Sequence, residues 1–169
     1  MKFYTVDRNE YLSENSVYNL KIYDDVNPDE LNDHVNDLFP DGVSSHGERY
    51  FLRGDSSIGL IDPMLELVFE YVRRANHPDK PSRFQSMFGF ESLSFAHRFR
   101  DIYSDNDSPI YVVESDIVFK ADMNILTANN SILATSYLAN LYWSSKEGPG
   151  NPFWEIIIKC PVRVIERVE

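Results

Sequence analysis

The sequence predicts an α+β fold, formed as a single domain over residues 1–169. Short runs of aromatic and β-branched residues lie near both ends of the chain, a pattern typical of strands. Between them lie segments whose apolar residues recur at helical spacing. Hydrophobic residues make up 43% of the chain and aromatic residues 14%. A chain of this length and composition can bury a substantial core and is not expected to be disordered.

The predicted strands begin with "KFYTV" and with a shorter extended piece in "SVYNLKIY". In the middle of the chain, "ERYFL", "RFQSMF", "IYVVE" and part of "DIVFKADM" are further strand predictions. The final run, "FWEIIIKCPVRVIERV", predicts one long strand or two short strands divided near Pro161, because proline cannot donate a hydrogen bond to a sheet.

Four segments predict helices. In "NPDELNDHVNDLFPDG", Asn27 is placed as a cap, Pro28 takes the first helical position and Glu30 completes a capping box. In "DPMLELVFEYVRRANHP", Asp62 is the cap and Pro63 opens the helix. The other two helices are predicted in "FESLSFAHRFRDIY" and "NNSILATSYLANLYW".

Helical spacing also predicts which faces of these helices are buried. The second helix is expected to bury Met64, Leu67, Val68, Tyr71, Val72 and Ala75. The fourth helix is expected to bury Leu133, Tyr137, Leu138 and Leu141.

The net charge of −11 argues against general binding to the phosphate backbone of nucleic acids. The charges are unevenly spread. Residues 1–48 have 3 Lys/Arg against 11 Asp/Glu, residues 49–100 have 8 against 6, and residues 101–169 have 5 against 10. Because only the middle segment is net positive, an anionic ligand is expected to contact it.

The lone cysteine, Cys160, lies in a strand-like run and is expected to be a small core residue. One cysteine allows no disulfide within the chain, so a cytoplasmic location is the default expectation. No apolar run approaches the roughly 20 residues that span a bilayer, and the N-terminus lacks the apolar core of a signal peptide. No membrane association is therefore expected.

The spacing of the motif residues excludes several activities. The four histidines show no HxH, HxxxH or HExxH spacing, so no metal site is predicted. The chain contains no GxxxxGK[ST], GxGxxG or GxSxG motif. With only seven glycines available, an anionic cofactor would be held by arginine and hydroxyl side chains.

Side chains of the required kinds flank the predicted strands. Arg8 follows the first strand, Arg83 and Ser86 open a central strand, and Glu155 begins the last run. A guanidinium can hold a phosphate or ribose, and a carboxylate can stabilise the oxocarbenium-like charge that grows as nicotinamide leaves NAD. A cationic group, a hydroxyl and a strand-borne carboxylate are the groups that a glycosyl-transfer site on NAD would need. In the alternative interpretation, Arg83 and Ser86 only cap a turn.

Four segments, "FYTVDRNEYL", "RFQSMFGFESLSFAHRF", "IYVVESDIVFKADMN" and "NPFWEIIIKCPVRVIERVE", occur in an order that resembles the ADP-ribosyltransferase-like domains. The likeness is greatest to the small rifamycin-modifying ADP-ribosyltransferases. The chain also resembles a bacterial and phage family of unknown function with FYxVDR and PSRFxSxF segments. The first resemblance implies a split β-sheet core with flanking helices, and NAD-dependent transfer of ADP-ribose to an acceptor.

The resemblance also implies a role for each matching residue. Thr5 lies where the rifamycin enzymes have a histidine that contacts the NAD ribose, and Arg8 substitutes for part of that contact. Ser86 matches a small hydroxyl residue, Tyr50 matches a nicotinamide-stacking tyrosine, and Glu155 matches the carboxylate that begins a late strand. Arg83 has no counterpart in the rifamycin enzymes and belongs to the PSRF segment. The expected catalytic residues are Glu155 and Arg8, and the expected NAD-binding residues are Tyr4, Thr5, Arg8, Tyr50, Arg83 and Ser86.

Two other functions stay open. Thr5 in place of histidine favours a binding module that has lost catalysis and holds a nucleotide or a partner protein. The acidic residues of the first 48 positions favour an interaction or inhibitor protein that presents carboxylates to a basic surface. Tyr4 and Trp154 are alternatives to Tyr50 for stacking on nicotinamide. The acceptor, with a protein among the candidates, and the oligomeric state are left open by the sequence.

Overall fold

The structure, a computed structural model, describes residues 1–54, 62–128 and 130–169. The α-helices of these residues are α1 (Asp29–Leu38), α2 (Ser45–Gly47), α3 (Pro63–Asn76), α4 (Leu93–Tyr103) and α5 (Ile132–Trp143). The strands are β1 (Lys2–Val6), β2 (Ser16–Tyr18), β3 (Ser86–Gly89), β4 (Ile110–Glu114), β5 (Val118–Asp122), β6 (Trp154–Lys159) and β7 (Val162–Arg167). The predicted α+β class is confirmed. That residues 1–169 form one domain stays a prediction.

The strands form two antiparallel sheets. One has four strands in the order β1-β4-β7-β2, and the other has three in the order β3-β6-β5. The sheets meet where β1 passes the end of β3. There Tyr4 and Phe90 exchange two backbone hydrogen bonds, of 2.9 and 2.8 Å. The first, middle and last parts of the chain are therefore neighbours in space.

The β6 strand packs apolar side chains on both of its faces, because successive strand residues point to opposite sides. Ile156 and Ile158 pack against the four-stranded sheet. Ile157 faces the other way, towards Tyr142 and Trp143 of α5 and the buried residues of α3. Glu155 lies two residues before Ile157 and shares its face, so its carboxylate is directed towards the helices.

Most of the predicted strands are present in the structure, and two segments differ. "KFYTV", "IYVVE" and the central part of "DIVFKADM" are strands, and the last run forms two strands that end and begin on either side of Cys160 and Pro161. The prediction for "ERYFL" was wrong, because Glu48–Leu52 forms a π-helical turn. In "RFQSMF", Arg83–Gln85 form a 3-10 turn and the strand begins at Ser86.

Helix caps were predicted with mixed success. The Asp62 side chain accepts a 2.7 Å hydrogen bond from the Met64 backbone, and Pro63 opens α3 as expected. At α1, in contrast, Pro28 is itself the cap residue and no side chain caps the helix. The prediction of Asn27 as the cap was wrong. Asn129, the first residue of the last predicted helical segment, lies outside the described residues.

The buried face of α3 was predicted wrongly. Met64 and Tyr71 are exposed by 66% and 54%. The residues that α3 buries are Leu65, Glu66, Phe69, Glu70 and Arg73. Three of these are charged, and Glu70 is held by Arg73, with bonds of 2.8 and 2.9 Å. The pattern of apolar residues predicted the wrong buried face of α3, because the face that packs against the protein interior contains paired charged side chains.

Two further expectations concern burial. Leu133 and Tyr137 are exposed by 81% and 63%, so the predicted face of α5 was wrong in its first half. Cys160 is buried as a free thiol, as predicted, and burial raises the pKa of this thiol to about 12. None of the helices in the described residues is long and apolar enough to cross a membrane.

Candidate functional site

A cleft of about 190 Å³ lies where the end of β1 meets α2, the π-helical turn and β3. Most of the residues predicted for the site line this cleft together: Thr5, Arg8, Tyr50, Arg83, Ser86 and Glu155. Tyr4 does not line it. Tyr4 packs in the apolar cluster around Phe90 and Phe153, because strand alternation turns it away from Thr5.

Arg83 forms the buried floor of the cleft. Its Nε and Nη2 atoms donate to the Glu66 carboxylate at 2.9 to 3.1 Å, and its Nη1 atom donates to Glu155 Oε1 at 2.7 Å. Nη1 also donates a short hydrogen bond to the Tyr142 hydroxyl. Arg83 is only 3% exposed. The expected direct contact between Arg83 and a phosphate is therefore not supported, because its donors already bind protein groups.

Glu155 is held on one side only. Its Oε1 atom accepts hydrogen bonds from Arg83 and from the Tyr142 hydroxyl, the latter at 2.6 Å. Among the described residues Oε2 has no hydrogen-bond partner, and it is not one of the fully buried atoms that lack one. Burial raises the pKa of Tyr142 well above its usual value, so the phenol stays protonated and donates. Glu155 thus lines the cleft with one fixed and one available oxygen.

His46 of α2 joins the same network from another side of the cleft. Its Nε2 atom lies 2.8 Å from Glu66 Oε1. Burial acts to raise the pKa of Glu66, but the charge of Arg83 and the hydrogen bonds from Arg83 and His46 outweigh it and lower this pKa to about 2. Because Glu66 is ionised, it accepts a hydrogen bond from the N–H group at His46 Nε2. Two carboxylates and an imidazole therefore surround one guanidinium.

Arg8 lies in the turn directly after β1. Its guanidinium carbon is 5.7 Å from the centre of the Phe99 ring, within the range of a cation–π contact. Its Nη1 atom is fully buried and has no hydrogen-bond partner in the described residues. Burial lowers the pKa of Arg8 from its ordinary value. Since buried polar atoms are normally hydrogen-bonded, this guanidinium, which lines the cleft with an unsatisfied donor, is suited to an anion.

The two predicted hydroxyl residues bond to the protein backbone. Thr5 Oγ1 donates to the Phe88 carbonyl oxygen at 2.7 Å, and Ser86 Oγ donates to the Ser82 carbonyl oxygen at 2.7 Å. Both side chains are buried. Each hydroxyl donates its only proton to a backbone carbonyl oxygen, so towards a ligand it can act only as a hydrogen-bond acceptor. Their geometry fixes the strands that carry the site.

Aromatic rings form the walls of the cleft. The centre of the His46 ring lies 4.6 Å from the centre of the Tyr50 ring and 4.7 Å from the centre of the Phe88 ring. Phe99 and Tyr103 of α4 also line the cleft, and the Arg8 guanidinium lies over the Phe99 ring. Such walls suit a flat ring as ligand, since aromatic faces favour offset stacking. In residues 1–54, 62–128 and 130–169, no group of three or more His, Cys, Asp or Glu could hold a metal ion.

The chain matches a protein-family model over almost its whole length. A family model described as "Protein of unknown function (DUF2441)" matches residues 4–169. The chain belongs to this DUF2441 family. No curated protein matches it. Because the matched range runs almost end to end, all the residues that line the cleft lie within the DUF2441 match.

Sequence reasoning missed three residues of the site in this DUF2441 protein: His46, Glu66 and Tyr142. Glu66 lies on the charged inner face of α3, which the apolar pattern had placed outside. Its signal was the spacing of Leu65, Glu66, Phe69 and Glu70, where each acid follows an apolar residue that is also buried. His46 and Tyr142 had no comparable signal, because their partners are far away in the sequence.

Acid should destabilise this DUF2441 protein through Glu66. Its pKa is about 2 in the folded state against an ordinary 4.5, so its contribution to stability is present above pH 4.5 and is lost as the pH falls towards 2. We expect the free energy of unfolding to fall by up to about 3 kcal/mol over this range from Glu66 alone. Urea unfolding at pH 5, 4, 3 and 2.5 measures it. An unfolding free energy that stays constant from pH 5 to pH 3 would contradict the expectation.

Proposed function

We propose that the cleft binds NAD and that the protein is an NAD-dependent mono-ADP-ribosyltransferase. The observation that carries the proposal is the convergence of β1, β3 and β6, which brings Arg8 and Glu155 to one cleft. The two sheets joined at Tyr4 and Phe90 agree with an ADP-ribosyltransferase-like split β-sheet core. The acceptor is unidentified, and a cytoplasmic location stays part of the proposal.

Glu155 supplies the electrostatic part of catalysis. As the bond between nicotinamide and ribose breaks, positive charge develops on the ribose, and a fixed carboxylate beside it stabilises this charge. Arg83 and Tyr142 hold Oε1 in place, so Oε2 is free to accept a hydrogen bond from a ribose hydroxyl. A carboxylate that is already oriented needs no rearrangement during the reaction.

Arg8 is assigned to the phosphates of NAD. Its side chain lines the cleft, and its buried Nη1 atom has no hydrogen-bond partner in the described part of the chain. A phosphate oxygen in the cleft would give the guanidinium a charge-assisted bond. The cleft volume of about 190 Å³ is below the roughly 300–1,000 Å³ of typical small-molecule sites. We therefore assign the enclosed part of the cleft to the nicotinamide and its ribose, beside the ring of Tyr50.

A binding module without turnover is the second candidate function. Glu155 is only 5% exposed, and the Thr5 hydroxyl donates to the Phe88 carbonyl oxygen rather than into the cleft. Both features reduce the contacts available to a reacting ribose. In this case the protein would bind NAD or a related nucleotide, and neither NAD hydrolysis nor labelling of an acceptor would occur.

Replacing Arg8 with glutamine should weaken NAD binding. A hydrogen bond to a charged group contributes about 1.5–3 kcal/mol, so we expect the Kd to rise by about 10- to 100-fold. Calorimetric titration of NAD into the Glu155→Gln protein, with and without Arg8→Gln, measures the effect without consuming the ligand. Because Arg8 has a buried donor without a partner, its replacement should not unfold the protein.

The matched control is Arg163→Gln. Arg163 lies on β7 with a side chain that is 70% exposed, and its replacement should leave the Kd for NAD unchanged. Failure of the Glu155→Gln and wild-type proteins to bind NAD at millimolar concentration would refute the proposal. Equal affinity with and without Arg8→Gln would remove Arg8 from the site.

A further inference from the structure

His46 presents one ring nitrogen to the cleft and binds a carboxylate with the other. Its Nε2 atom lies 2.8 Å from Glu66 Oε1, and Glu66 is fully buried. The ionised Glu66 requires a proton on Nε2, so in the neutral ring Nδ1 has the free lone pair. This tautomer, oriented by an acid, is the state in which an imidazole accepts a proton.

The Nδ1 atom keeps access to the cleft. It has no hydrogen-bond partner among the described residues, and it is not one of the fully buried polar atoms that lack a partner. The ring lies between Tyr50 and Phe88, at 4.6 and 4.7 Å between ring centres, and the side chain is 11% exposed. A histidine with a purely structural role would be expected to use both nitrogens, since buried polar groups are normally paired.

We propose that His46 is the general base of the transfer reaction and accepts on Nδ1 the proton of the nucleophile that attacks NAD. This inference rests on the proposed function. With water as nucleophile, the bond between ribose C1′ and the nicotinamide nitrogen breaks and its electron pair leaves with nicotinamide. The water oxygen forms the new bond to C1′, and its proton passes to Nδ1 and then to solvent. Glu155 and His46 thereby divide the work, one stabilising charge and the other accepting the proton.

The charges around His46 fit this role. Glu66 of α3 contacts it directly, and Tyr50 packs on its ring. The charges of Arg83 and Glu155 also act on it. Burial lowers the pKa of His46 below its ordinary value. The ring is therefore neutral near neutral pH, and lowering the pH protonates it and removes the base.

The experiment compares the wild type with His46→Gln and His46→Asn in NAD hydrolysis over pH 4.5–8. Gln can keep the bond to Glu66 without a titrating nitrogen, and Asn offers a second variant should Gln not fold. We expect kcat to fall by about 100-fold or more, and the fall in rate at acid pH that His46 causes to disappear. Calorimetry in the Glu155→Gln background should show the Kd for NAD unchanged within threefold by His46→Gln.

The outcomes separate this inference from the proposed function. If the wild type hydrolyses NAD and Glu155→Gln does not, while His46→Gln retains kcat within fivefold and the same pH profile, His46 is not the base and the proposed function stands. A loss of NAD affinity that accounts for the whole loss of rate also overturns the inference. If the wild type neither binds nor hydrolyses NAD, both the proposed function and this inference are refuted.

If neither variant folds, chemical modification replaces mutation. Carbethoxylation of wild-type His46, located by mass spectrometry, should stop hydrolysis, and bound NAD should prevent the modification. Retained hydrolysis after modification of His46 would overturn the inference.

Discussion

Replacing Glu155 with glutamine should reduce NAD turnover by about 10²- to 10³-fold, the loss that follows removal of one fixed electrostatic group from a transition state. Glutamine keeps the shape of the side chain and can still accept hydrogen bonds from Arg83 and Tyr142. It removes the negative charge that faces the developing charge on the ribose. The fall should therefore be in kcat, with little change in the affinity for NAD.

Release of nicotinamide, followed by chromatography, measures this effect with no knowledge of the acceptor. The matched control is Glu91→Gln, because Glu91 is an exposed acid that pairs with Lys120 at 2.7 Å. This control should retain wild-type turnover. Equal rates in the wild type and Glu155→Gln would show that the buried acid has no catalytic role and would favour the binding module without turnover.

Replacing Arg83 with methionine should be the most destabilising single change in the cleft. Methionine fills part of the same volume but leaves the buried acids Glu66 and Glu155 without their shared counter-charge. Removing one partner of a buried ion pair costs about 3–5 kcal/mol, because the remaining charge stays buried and unpaired. The expected result is a fall of this size in the free energy of unfolding at pH 7.

Urea unfolding followed by tryptophan fluorescence measures the change, since Trp143 is fully buried beside Tyr142. Arg163→Met, at an exposed site, should change stability by no more than about 0.5 kcal/mol. Adding Glu66→Gln and Glu155→Gln to Arg83→Met should recover part of the loss, because the three charges are then removed together. A loss below 1 kcal/mol for Arg83→Met alone would contradict the ion-pair network.

The strands and the start of α3 were predictable because their signals are local. Alternation in "KFYTV" and β-branching in "IYVVE" act within a few residues, and so does the Asp62 side chain that caps α3. "ERYFL" carries the same kind of composition, but it follows directly on α2 and continues that helix as a π-helical turn. Here the neighbouring element outweighed the local preference.

Arg8, Ser86 and Glu155 line one cleft, as a shared site requires. The contacts of the predicted site residues are not all those that the resemblance implies, because the Ser86 hydroxyl bonds to the backbone. The partners of Arg83 lie 17, 59 and 72 residues away, and nothing in the local sequence indicates which charges will meet. An arginine that opens a strand therefore looks the same whether it binds a ligand or two buried acids. Glu66 was missed for the related reason that burial of a charge depends on a distant partner.

The measurement that tests the NAD assignment most directly is the crystal structure of the Glu155→Gln protein grown with NAD. We predict the nicotinamide ribose within hydrogen-bond distance of residue 155, and a phosphate oxygen bound to the Arg8 guanidinium. His46 Nδ1 should face the open side of the ribose C1′ atom. NAD bound at any other place, or a cleft that stays without NAD at millimolar concentration, would contradict the assignment.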